Sequence, residues 1–156
     1  VGETHFDIET FGPLLVGHAR LIGLDLGTKT IGIALSDLTR MIASPLETIR
    51  RTKFRADLVR LQEIIAEHDI KGLVLGFPIN LDGTEGPRAQ ATRAFSRNVN
   101  QAVDLPILMW DERLSTAAAE RMLIEADQSR KRRAEVIDKL AATIILQSAL
   151  DRMGPR

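Results

Sequence analysis

Two short apolar runs, Leu21-Ile22-Gly23-Leu24-Asp25 and Ile31-Gly32-Ile33-Ala34-Leu35, flank a link that contains Gly27-Thr28-Lys29-Thr30. Runs this short and this close read as a strand, a tight turn and a returning strand. The hairpin commits the chain to a sheet and ends its first strand on a carboxylate. An Asp beside a Gly-containing turn can hold a divalent cation or direct a phosphate, because the small turn lets backbone and ligand approach closely. The alternative role for Asp25 is to cap its own turn.

The rest of the chain extends that sheet. Residues 1–19 have no clear period and form an N-terminal extension; residues 20–153 form the folded domain. Residues 41–51 supply a third strand, with Pro45 pointing to an edge position. Leu58, Leu61, Ile64 and Ile65 recur at helical spacing over 54–68. Gly72 to Gly76 is a short buried strand, and the Asn-, Asp- and Gly-rich loop 79–87 follows it. That loop precedes a helix over about 88–101, so its backbone N–H groups are in a position to receive phosphate. Pro106 to Trp110 is another buried strand, and Ser115 or Thr116 caps a helix running to Ala126. The last helix, 131–152, places Val136, Ile137, Leu140, Ala141, Ile144, Ile145 and Ser148 on one face. Three early strands followed by alternating helices and strands specify an α/β fold, a mixed sheet flanked by helices.

Composition removes several chemistries. The 156 residues contain no cysteine, which excludes disulfides, thiolate zinc sites and cysteine nucleophiles, and suits a reducing compartment. No apolar stretch approaches a membrane span and the N-terminal segment lacks the pattern of a secretory signal, so the expected location is cytoplasmic. The three histidines, His5, His18 and His68, have no metal-ligand spacing. Lys and Arg number 21 against 21 Asp and Glu, so net charge does not announce a nucleic-acid binder. The cations are clustered, however, in residues 50–55 and in Arg130-Lys131-Arg132-Arg133. Taken alone, either cluster is a solvated helix start.

Three acids stand where they can meet. Asp25 ends the first strand, Asp111-Glu112 follows the last, and ligands in open α/β sheets bind beyond the carboxyl ends of strands. Asp138 falls at the margin of the last helix's apolar stripe. Three converging carboxylates repel one another unless cations hold them, which is the logic of a two-metal phosphoryl-transfer site. Oxygen-only ligands suit Mg²⁺ or Mn²⁺. Each acid has an ordinary alternative. Glu112 can pair with Arg113 at the surface, and Asp138 with Arg133 along its helix. Asp111 competes with Glu112, since adjacent strand residues point to opposite faces.

From about Leu21 to Leu150 the chain resembles the YqgF/RuvX family of Holliday-junction-resolvase-like proteins, regarded as pre-16S rRNA nucleases. The strings that carry the resemblance are LIGLDLGTKTIGIALSD, LVLGFPINLDGTEGPRA, DERLST and VIDKLAATIILQSALD. It implies an RNase H-like fold, a five-stranded mixed sheet whose first three strands are antiparallel. It also implies a metal-dependent nuclease with Asp25, Glu112 and Asp138 as catalytic and metal-binding acids. Lys29, Arg113, Lys131 and Arg132 are the candidate substrate-binding cations. The implied partners are nucleic acid, with pre-ribosomal RNA favoured over branched DNA, and ribosomal particles. Two positions depart from the family pattern. Thr30 stands where Arg is frequent. Gly76-Phe77 stands where junction resolvases of this fold carry a Glu, so Glu112 has to compensate. The rival expectations are a structure-specific DNA endonuclease and a non-catalytic RNA- or ribosome-binding module. A sugar-kinase-like ATPase, which shares the Asp-x-Gly-Thr hairpin, needs two related domains and a longer chain.

Overall fold

The computed structural model describes residues 2–114 and 130–154, those over 130–138 as backbone only. Its centre is a six-stranded mixed sheet in the order β1-β6-β5-β2-β3-β4. The strands are β1 (Thr4–His5), β2 (Arg20–Leu26), β3 (Thr30–Ser36), β4 (Ala43–Arg50), β5 (Ile70–Phe77) and β6 (Ile107–Asp111). β2, β3 and β4 form an antiparallel meander, whereas β5 pairs in parallel with both β2 and β6. The carboxyl ends of β2, β5 and β6 therefore lie along one edge of the sheet.

Residue alternation divides the core into two layers. Ile22, Leu24, Ile31, Ile33, Leu75 and Met109 pack under α2 (Phe54–His68) and α3 (Pro87–Ala102), which contribute Leu61, Ile64, Phe95 and Val99. Leu21, Ala34, Val74, Leu108 and Trp110 face the other way, against α4 (Arg130–Met153). Both faces of β2 and β5 are buried, so these strands read as nearly continuous apolar runs rather than alternating ones. α2 closes on Asp69 in the left-handed conformation (φ 52°), which Asp tolerates, and α3 opens on Pro87, whose missing N–H costs nothing in a first helical turn. Pro45 lies in β4, an edge strand, as expected.

Two expectations need correction. The sheet has six strands, not five, because Thr4 and His5 add a short parallel strand beside Ile107 and Leu108 of β6. Two residues carry no period, which is why the extension hid a strand. Phe11, at the end of α1 (Ile8–Phe11), and Leu15 are buried in the α4 layer. The buried stripe of α4 is also rotated from the expected one. It runs through Ala141, Ala142, Ile145, Leu146, Ala149 and Leu150, while Ile144 and Ser148 are only partly covered. The small side chains of Ala142 and Ala149 seat the helix more closely than bulk-weighted periodicity suggests. The helix expected from Ser115 or Thr116 to Ala126 lies outside the described residues.

Gly23 shows how close that seating is. A Cβ there would stand 2.7 Å from Leu146 Cβ and 2.9 Å from the Ala142 carbonyl oxygen, distances that only a hydrogen at this position can satisfy. Gly23→Ala should therefore cost about 1–3 kcal/mol by overpacking, lowering the melting temperature by several degrees. Gly12→Ala, whose Cβ meets only an Ile8 methyl at 3.9 Å, should leave it within a degree or so of wild type. Paired thermal denaturation curves check both outcomes.

Candidate functional site

The Asp25 side chain follows from strand parity. Leu21 and Gly23 face α4, so Asp25 faces it too, one pleat beyond the point where Gly23 meets Leu146. Asp25 lies opposite Gly32 on β3 and is only 3% exposed. Burying a carboxylate this far is unfavourable unless charge or hydrogen bonds compensate, so an apolar core would not place one here for packing alone.

Gly76 of β5 is the next feature along that edge. Leu24 aligns with Leu75 in the parallel β2–β5 ladder, which puts Gly76 beside Asp25, and Gly76 aligns in turn with Trp110 of β6. A Cβ on Gly76 would meet the Ile145 δ-methyl at 2.6 Å and both Cγ and Cδ of Glu112 at 3.5 Å. The Glu112 side chain thus lies across the end of β5, in the space that Gly76 leaves open. Its backbone is in the single 3₁₀ turn Glu112–Leu114 that follows β6. The turn returns position 112 to the face that Trp110 occupies.

Asp111 takes the opposite course. Its carboxylate receives the Arg113 guanidinium in a two-pronged contact, with Nη2 to Oδ2 at 2.8 Å and Nε to Oδ1 at 3.1 Å, and the Arg113 backbone N–H at 2.9 Å. The Arg113 side-chain hydrogen bond holds the Asp111 carboxyl below the ordinary carboxylate range, against the opposing effect of burial. Asp82, whose own carboxyl is lowered first by the Thr84 hydroxyl, adds a further favourable field at Arg113. Of the two adjacent acids, Glu112 therefore shares the Asp25 face, and Asp111 links β6 to the loop after β5.

Position 138 sits one helical turn before Ala142. The side chains of Asp138, Lys131 and Arg132 lie outside the described residues. Among the described residues no group of three His, Cys, Asp or Glu side chains comes together as a metal site. Lys29 is exposed in the β2–β3 turn, and its carbonyl accepts the Arg51 N–H at 2.8 Å.

Two arginines that sequence reasoning passed over brace this turn. Arg51 donates from Nη1 to the Gly27 carbonyl, and Arg88 of α3 reaches the Leu26 carbonyl at 3.5 Å. Consecutive carbonyls just after Asp25 are thereby tied to two separate elements. The run 50–55 was the available signal for Arg51; nothing local in sequence marks Arg88. The loop after β5 is likewise internally tied, with Asn80 N–H to the Thr84 carbonyl at 2.9 Å and Glu85 paired with Arg93 of α3 at 2.6 Å.

The family model described as RuvX, Holliday junction resolvase, matches residues 19–152. A relative from Cereibacter sphaeroides is 64% identical over 149 residues, covering 96% of this chain and 93% of its own length. One from Ruegeria sp. is 62% identical over 149 residues, covering 96% and 95%. Both bear the name of a candidate pre-16S rRNA nuclease. Among solved structures, RuvC of T. thermophilus in complex with a Holliday junction substrate matches with a TM-score of 0.51 at 12% identity, covering 89% of this chain and 100% of that chain. That likeness is one of fold.

The Asp111–Arg113 pair makes a prediction about pH. A carboxyl lowered in the folded state contributes stability above its unfolded pKa and loses it as pH falls through the folded value. Both side chains are partly exposed, so solvent screening keeps the contribution small. Asp111→Asn should lower the melting temperature by no more than a few degrees at neutral pH. The difference should vanish below the ordinary carboxylate range, as a pH series of melting curves would show.

Proposed function

The chain belongs to the RuvX family, and from that premise we propose that it is a metal-dependent nuclease that matures the 5′ end of pre-16S ribosomal RNA. The observation that carries the proposal is the buried Asp25 carboxylate, on the same face and sheet edge as a Glu112 side chain lying across Gly76. Asp138 is the proposed third acid, since its helical position continues the α4 stripe toward Asp25. The donor set is hard oxygen throughout, which fits Mg²⁺ or Mn²⁺ and not zinc. A cation held by these acids supplies Lewis acidity at the scissile phosphoryl group.

The chain's own residues do the remainder. Lys29, Arg113, Lys131 and Arg132 are the proposed charges that hold the substrate backbone, and Arg51 and Arg88 keep the Asp25 turn from moving under load. In the overall reaction a water oxygen adds to phosphorus, one bridging P–O bond breaks, and the released sugar oxygen leaves as a hydroxyl. Cleavage of branched DNA is the second reading, favoured by the RuvC-like fold. No helix among the described residues is long and apolar enough to cross a membrane, in keeping with the proposed cytoplasmic location and with access to ribosomal particles.

Cleavage, melting and precursor accumulation in cells test the proposal. Asp25→Asn, Glu112→Gln and Asp138→Asn should each reduce cleavage of a pre-16S RNA fragment by roughly a hundredfold or more, with strongly non-additive double variants, because the acids share cations. Asp111→Asn should keep most of the activity. Undiminished cleavage in EDTA would falsify the metal dependence, and cleavage of junction DNA but not of precursor RNA would favour the second reading. Asp25→Asn should also melt higher than wild type in EDTA and gain less from added Mg²⁺ or Mn²⁺, since a buried carboxylate is lost. Equal metal-induced shifts in the two proteins would mean that Asp25 binds no cation. In cells lacking the protein, 5′-extended 16S precursors should accumulate and be cleared by wild type but not by Asp25→Asn.

A further inference from the structure

An open groove of about 270 Å³ lies on the α4 face of the meander, lined by Thr30, Thr48, Arg50 and Lys139. The sheet register explains why these four residues meet. Thr30 pairs with Arg50 and Gly32 with Thr48, so three of them share one face of β3 and β4. Their alternates Ile31, Ile33 and Ile49 pack into the opposite core layer, and Glu47 turns away to Arg60 of α2 at 2.6 Å. Lys139 comes from α4 and closes the groove from above. Two threonine hydroxyls, one guanidinium and one ammonium make a surface for a phosphate oxygen, and none of its described lining residues is acidic.

The groove also stands in a fixed relation to the proposed acids. Asp25 lies opposite Gly32, and Gly32 lies opposite Thr48, so one row across the sheet links the buried carboxylate to the groove. Two strand spacings separate Asp25 from Thr48, about 10 Å. That is too far for the groove to hold the scissile phosphate and near enough for a neighbouring one on the same strand. We propose that Thr30, Thr48, Arg50 and Lys139 form a subsite for a backbone phosphate flanking the scissile bond, which sets the path of the substrate strand over the meander. The assignment rests on the nuclease reading of the adjacent acids. The subsite reads backbone, not base, so its contribution is to affinity and alignment.

The test is binding of a fluorescently labelled single-stranded RNA, spanning the 5′ end of 16S rRNA, to the full chain in EDTA over a salt series. Arg50→Gln with Lys139→Gln should weaken binding about tenfold and reduce the slope of log K against log salt by about one. Thr48→Val should weaken it less, with the slope kept. Lys71→Gln removes a charge at the other end of the sheet, beside Asp69, and should change neither quantity. In Mg²⁺, the double variant should show raised KM with kcat nearly unchanged. Arg50→Lys should restore the slope; failure to do so would mark Arg50 as merely structural and overturn the subsite. Unchanged affinity and slope in the double variant would also overturn it. If wild type binds RNA through this groove yet cleaves no nucleic acid with Mg²⁺, the subsite stands and the hydrolytic reading falls. Metal-dependent cleavage with no loss of binding in the double variant gives the reverse.

Discussion

Close contact between α4 and two glycines of the central strands organises the whole molecule. Gly23 admits the Ala142 carbonyl and the Leu146 side chain, and Gly76 admits the Ile145 methyl. A helix seated this low covers the α4 layer from Leu21 to Trp110 with small and branched side chains. It also leaves room over β5, at the carboxyl edge of the sheet, for the Glu112 side chain. A methyl group at either glycine would push against backbone or packed side chain, and the displacement would be felt first at that edge.

The same edge separates two kinds of acid by elementary geometry. Asp111 and Glu112 are adjacent, yet the first is neutralised by its own Arg113 and serves the loop after β5. The second is carried by a 3₁₀ turn to the Asp25 side of the sheet. Asp25 itself is held by a turn whose carbonyls are tied to Arg51 and Arg88 from separate elements. Bracing of this sort fixes where the Asp25 carboxylate stands relative to the Glu112 side chain. The far end of the meander has another character. There Asp37, brought down to about 2 mainly by the Thr39 hydroxyl, accepts the N–H groups of Met41 and Ile42 and holds the β3–β4 turn.

Much of the architecture was legible in residue order. The α2 boundaries matched at both ends because four core residues repeat at helical spacing between charged ones, and the strands of the hairpin and β5 stood out as apolar runs. β1 was not legible: a two-residue strand has no period, and only the exposed edge of β6 gives it a partner. The rotated stripe of α4 escaped for a different reason, since alanines count little in a pattern weighted by bulk yet mark the closest approach in a packed interface. Arg88, Thr48 and Lys139 were invisible as site residues because their meaning comes from neighbours 62, 18 and 109 positions away.

By itself the sequence determined the element types, the carboxylate at the end of the first strand, the absence of thiol chemistry and the family. These rest on local signals: hydrophobic period, turn residues, residue inventory and contiguous motifs. The tertiary structure alone decided that Glu112, not Asp111, shares the face of Asp25, that Gly76 is the gap into which it reaches, and that a cationic groove begins two strands away. Those outcomes depend on strand register and on which face each pleat presents. A one-residue slip would reverse every one of them, and register is set by packing across the whole sheet.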